Sequence, residues 1–134
     1  MQEKNTNCQQ WKKRVRSMQF IYSELILNNK FEIAKSIMYR DYLIVGANFL
    51  ELLEYFITNK KKIINDISAY LDKTWNFERL NYVDQAILIL GYIENKLWKN
   101  DKSIIIDQAV ITAKNYSDND NYKYINAILN KIIQ

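Results

Sequence analysis

Proline is absent from this chain of 134 residues, and glycine occurs only at Gly46 and Gly91. Proline and glycine are the residues that stop helices and make the tight turns a hairpin needs. A chain almost without them can run long helices and has few places to reverse a strand. The apolar spacing agrees. Trp11, Val15, Met18, Tyr22 and Leu25 recur at alternating steps of four and three, the stripe of one helix face. Ile125, Ile128, Leu129 and Ile132 repeat it near the end. Between them, Val83, Ala86, Ile87, Leu90, Gly91 and Glu94 fall on one face, and Ile105, Ala109, Thr112 and Tyr116 on another. Isoleucine and tyrosine also suit strands, but no stretch alternates with period two for long. The spacing predicts an all-α fold.

Seven helices are expected, over 8–28, 31–40, 42–57, 59–72, 82–97, 103–116 and 119–133, with a short turn near 77–81. Polar residues supply the punctuation. Asn28-Asn29 closes the first helix. Ser103 caps the sixth, with Asp107 early in it, and Ser117 or Asp118 caps the last, with Asp120 completing a Ser-x-x-Asp box. The stretch "LDKTWNFERLN" (71–81) is the seam between two halves. It is too short for a free linker. One domain, 1–134, is therefore expected, built from an N-terminal helical subdomain (about 8–72) packed on a C-terminal one (about 77–134).

At 49% hydrophobic residues the chain can bury a sizeable core. Histidine is missing, which removes Ser-His-Asp, Cys-His and most zinc chemistry. Cys8 stands alone, so neither an intrachain disulfide nor a cysteine cluster is available. There is no glycine-rich phosphate loop. The carboxylate pairs Glu51/Glu54 and Asp118/Asp120 have no nucleophile or ligand set beside them. The expectation is a protein that is not an enzyme and holds neither cofactor nor metal. No run of about 18 apolar residues predicts a membrane span, and the polar start "MQEKNTNCQQ" does not read as a secretory signal, so a cytoplasmic location is expected.

Net charge is +4 with an isoelectric point near 9.0, which favours an anionic partner. The excess is local. Four cations, Lys12, Lys13, Arg14 and Arg16, fill five positions. At about 100° per residue, with Trp11 at zero, Lys12, Arg16 and Lys13 fall near 100°, 140° and 200°, and Arg14 falls near 300° on the other flank of the apolar seam. A helix with this pattern grips a polyanion by releasing its counterions; the same pattern also fits a solvated helix face. Lys60, Lys61 and Lys62 spread over most of a turn and give a diffuse positive end. Tyr122, Lys123 and Tyr124 follow a cap, where a lysine between aromatic rings suits either phosphate and base or the rim of a core.

Longer motifs sharpen this. The segment "WNFERLNYVDQAILILGYIE" (75–94) resembles a pattern of the NusB family, W-x-x-x-R-L-x-x-x-(D/E)-x-A-(I/V)-L, through Trp75, Arg79, Leu80, Asp84, Ala86, Ile87, Leu88 and Glu94. "IDQAVITAKNY" (106–116) and "DNYKYINAILNKI" (120–132) resemble the two motifs that follow it, and "KKRVRSMQFIY" (12–22) resembles the family's arginine-rich start with Gln19 and Tyr22 in register. About half the chain is covered this way; residues 30–60 match only in helical character. The resemblance implies a NusB-like helical bundle of two subdomains that acts in transcription antitermination. It implies binding of boxA-like single-stranded RNA together with NusE, a small-subunit ribosomal protein, at elongating RNA polymerase, as monomer or homodimer. By position it points to Lys12, Lys13, Arg14, Arg16, Tyr22, Asp84, Asp120, Lys123 and Tyr124 as RNA-binding residues. Several positions depart from the family pattern. Lysines replace some arginines, which keeps charge and loses bidentate geometry. Ile89 stands where many members have arginine, Ile93 where many have tyrosine, and Ala127 replaces a glycine. Those departures leave a second expectation open: a helical protein-interaction module or homodimer on the same fold, with little RNA specificity.

Overall fold

The structure, a computed structural model, describes the backbone of residues 2–27, 31–74 and 76–133 and the side chains of residues 10–27, 50–74 and 76–133. Its elements are α1 (Gln2–Leu27), α2 (Phe31–Ser68), a 3₁₀ turn (Phe77–Arg79), α3 (Tyr82–Trp98), α4 (Lys102–Tyr116) and α5 (Asn121–Ile132). Among the described residues there are five α-helices and no strand. Asn28-Asn29 and Trp75 lie outside them.

The all-α expectation holds and the count of seven does not. The three helices expected over 31–40, 42–57 and 59–72 are one helix of 38 residues. No proline interrupts it. At Asn59, where a new helix was expected to begin, the side-chain amide donates to the Tyr55 carbonyl one turn back at 3.0 Å, so the polar side chain serves the existing helix instead of capping another. The later caps also shift. Asp101, not Ser103, is the N-cap of α4. Asp120 is the N-cap of α5, and Ser117 is instead the C-cap of α4.

The turn between the halves is held by asparagines. Asn76 Oδ1 accepts from the Glu78 amide at 3.0 Å, and Asn81 Oδ1 accepts from the Asp84 amide at 2.8 Å to start α3. α3 is then the centre of the molecule. It packs against α1, α2, α4 and α5, and every residue from Asp84 to Glu94 is buried. The single buried face expected for it is too narrow, because a helix wrapped on all sides has no solvent stripe. One contiguous core joins Ile21 of α1, Phe56 and Ile63 of α2, Leu88 and Ile93 of α3, Ile105 of α4, and Ile125 of α5. Gly91 marks a close approach of α3 to α4 and α5. A methyl group there would lie 3.0 Å from Leu129 Cδ2 and 3.4 Å from Ile105 Cγ2. Lys102 Nζ closes the outer edge by donating to the Asn130 carbonyl at 2.7 Å.

Candidate nucleic-acid interface

α1 is fixed by two polar contacts that determine which of its faces meets solvent. Trp11 Nε1 donates to Thr112 Oγ1 of α4 at 3.2 Å, and Arg14 reaches Glu94 of α3, with both Nε and one terminal nitrogen 2.9 Å from Oε1. Arg14, Ser17, Met18, Ile21 and Glu24 are buried. On the wheel these five fall between about 220° and 340°, centred near 280° and rotated from the apolar seam expected near zero. Arg14 therefore lies in the middle of the buried face, 9% exposed, and not on a cationic flank. The face diametrically opposite carries Lys12, which is exposed, and Arg16, which is half-buried; Lys13 is half-buried beside them.

Glu94 is 2% exposed. Burial pushes its carboxyl above the ordinary glutamate value, and the hydrogen bond and charge of Arg14 pull it back. The pair thus satisfies two groups that would each be costly alone, and it tells α1 where to sit on α3.

Asp84 has an analogous part at the other end of α3. It is fully buried. Its carboxylate accepts from the Ser117 hydroxyl at 2.5 Å and from the Asn121 amide at 2.9 Å. Burial raises its pKa, opposed by those hydrogen bonds. Asp84 was expected at the edge of an RNA surface; its carboxylate instead ties the end of α4 and the start of α5 to the first turn of α3. Tyr22 and Tyr124 are half-buried and pack against the core. Asp120 and Lys123 are exposed, 3.8 Å apart. Lys114 Nζ lies 4.7 Å from the centre of the Tyr122 ring.

Thr112 and Lys114 belong to the last turns of α4, so the basic turn of α1 and the first turn of α5 are both anchored to that stretch. Of the nine expected residues, Lys12, Asp120 and Lys123 are exposed, Lys13, Arg16, Tyr22 and Tyr124 are half-buried, and Arg14 and Asp84 are interior. Sequence reasoning missed Ser117 and Asn121 as partners of Asp84, and Tyr116, expected on the buried stripe, is exposed because α4 ends there. Contacts 33 and 37 positions apart leave no periodic signal. Among the described residues no group of three or more His, Cys, Asp or Glu is placed to hold a metal, and no helix is long and apolar enough to cross a membrane.

A family model described as the NusB family matches residues 12–134. The chain is 37% identical over 83 residues to the transcription antitermination protein NusB of Ligilactobacillus salivarius, covering 62% of this chain and 63% of that protein. It is 36% identical over 84 residues to the protein of the same name from Macrococcus caseolyticus, covering 63% of this chain and 64% of that one. Against the one from Finegoldia magna it is 30% identical over 129 residues, 90% of each. The first two matches thus span somewhat under two thirds of those relatives' length, and the third nearly all of it. The chain belongs to the NusB family.

Proposed function

We propose that this chain is a non-enzymatic RNA-binding factor of transcription antitermination, which takes boxA-like single-stranded RNA together with NusE at the elongating polymerase. Family membership supports the role, and the relatives are named as antitermination proteins. The observation that carries the RNA reading is the solvent face of α1. Lys12, Lys13 and Arg16 lie away from the buried Arg14–Glu94 pair, on a helix pinned to α4 by Trp11. A helix held this firmly presents its cations without having to order its backbone when phosphate arrives.

In this reading the lysine-rich face captures the backbone, and Asp120 and Lys123 meet the bases and a neighbouring phosphate beyond it. A carboxylate accepts from exocyclic amino groups, which phosphate cannot donate. Arg14 and Asp84 act indirectly, by setting the positions of α1 and α5. Single-stranded RNA suits such a surface because its bases are free to splay across the helices.

A titration of a short boxA-type RNA, with and without NusE and at two salt concentrations, tests it. Changing Lys12, Lys13 and Arg16 together to glutamine should weaken binding and flatten its salt dependence. Each lost phosphate contact should lower the log–log slope by about 0.7. Binding unaltered by the triple change excludes this face. A tight homodimer with no affinity for RNA at low salt excludes the function.

A further inference from the structure

Two tyrosine rings stand in solvent at the end of the molecule where α3 begins and α4 ends. Tyr82 is 46% exposed and Tyr116 is 45% exposed. Neither hydroxyl has a hydrogen-bond partner among the described residues. Both backbone positions are nonetheless fixed. Tyr116 immediately precedes Ser117, and Tyr82 lies two residues before Asp84, the residue that accepts from Ser117 and Asn121. The Asp84 network therefore holds the two rings at one end of the bundle. The neighbouring Tyr122 differs, since the ammonium of Lys114 already lies over its ring.

We propose that Tyr82 and Tyr116 are stacking platforms for unpaired nucleobases, extending the RNA track of α1 around the end of α4; this rests on the RNA reading of the preceding section. Trp11 connects the two regions. Its bond to Thr112 sets the basic turn of α1 one turn from Tyr116. The local charge then selects base over phosphate. Asp118 and Asp120 are exposed beside these rings, and Asp120 neighbours Lys123. Carboxylates repel a phosphate but accept from base amino groups, and a tyrosine face takes any base. The molecule thus separates its contacts, with phosphates along Lys12, Lys13 and Arg16 and bases on the rings where the acids lie. A protein partner is disfavoured as the occupant, because these rings flank polar caps and not an apolar groove.

The separation gives the test. The full chain with NusE is titrated with boxA-type RNA across a range of salt, as wild type and as Tyr82→Ala, Tyr116→Ala, Tyr116→Leu and Tyr116→Phe. Each alanine change and Tyr116→Leu should weaken binding about fivefold or more with an unchanged log–log salt slope, and Tyr116→Phe should bind as wild type. RNA carrying abasic sites at the stacked nucleotides should bind wild type and alanine variants alike. Urea unfolding checks that the variants are folded, which exposed side chains permit. Wild-type affinity in both alanine variants overturns the stacking role, while loss of binding in the Lys12, Lys13 and Arg16 triple variant leaves the RNA reading standing. Loss of NusE affinity measured without RNA makes the rings a protein contact and overturns it as well. No RNA binding by the wild type removes both readings.

Discussion

Replacing Arg14 by methionine strands the Glu94 carboxylate, 2% exposed, without its counter-ion. Removing one partner of a buried pair costs about 3–5 kcal/mol, so urea unfolding of Arg14→Met at neutral pH should register a loss of that size. The pH dependence has a definite sign. Burial holds the folded Glu94 carboxyl above the ordinary glutamate value, and Arg14 opposes it. Without Arg14 the folded value rises further while the unfolded one stays put. Between the two, the folded state binds more protons than the unfolded state, so stability falls as pH rises through that window. The penalty of Arg14→Met should be larger at pH 7 than near pH 4; equal penalties at both would refute the buried-charge account. Pairing it with Glu94→Leu should recover most of the loss, since an apolar pair replaces an ionic one at little net cost. The cationic cluster was legible in the sequence, but the interior place of Arg14 was not. Hydrophobic periodicity weighs apolar positions alone, and the buried face of α1 includes Arg14, Ser17 and Glu24.

Single elements were legible in proportion to how local their determinants are. The stripe Ile125, Ile128, Leu129, Ile132 of α5 is buried as spaced, because one helix face decides it. The continuity of α2 was missed, because Asn59 looks like a cap while its side chain bonds within the helix. The capping of α5 was missed for the converse reason: Ser117 has the chemistry of a cap but spends its hydroxyl on Asp84. Three substitutions test α3, two at its close-packed glycine and one at its C-terminal cap. Gly91→Ala sets a helix-propensity gain of up to about 1 kcal/mol against a squeeze on Leu129, and should stay within about 1 kcal/mol of wild type. Gly91→Val adds branching where a first carbon already meets Leu129 Cδ2 at 3.0 Å, and should lower stability by about 1–3 kcal/mol. Lys99 closes α3 with φ 51° and ψ 37°, a left-handed conformation that costs a side-chain-bearing residue. Lys99→Gly should raise the urea midpoint, by about 0.5–1 kcal/mol of stability, at unchanged denaturant slope.

On the scale of the molecule, the central question is whether the two expected halves unfold separately. α3 argues that they do not. It belongs in sequence to the second half, yet it packs against α1 and α2 as well as α4 and α5, and its residues 84–94 are buried throughout. Withdrawing α1 and α2 would expose the apolar side chains that α3 buries against them and strand Glu94 as well. The Trp11–Thr112 bond crosses between the halves too. Unfolding should therefore be a single transition. Far-ultraviolet dichroism, which follows the helices, and tryptophan fluorescence, which follows Trp75 as well as Trp11 on α1 and Trp98 at the end of α3, should give coincident urea curves. Native-state hydrogen exchange should find the Ala86–Ile93 amides opening only with the whole molecule. Separate midpoints, or exchange of α3 at a fraction of the global stability, would mean that the halves fold as independent units and that the basic face of α1 is positioned by something weaker than the shared core.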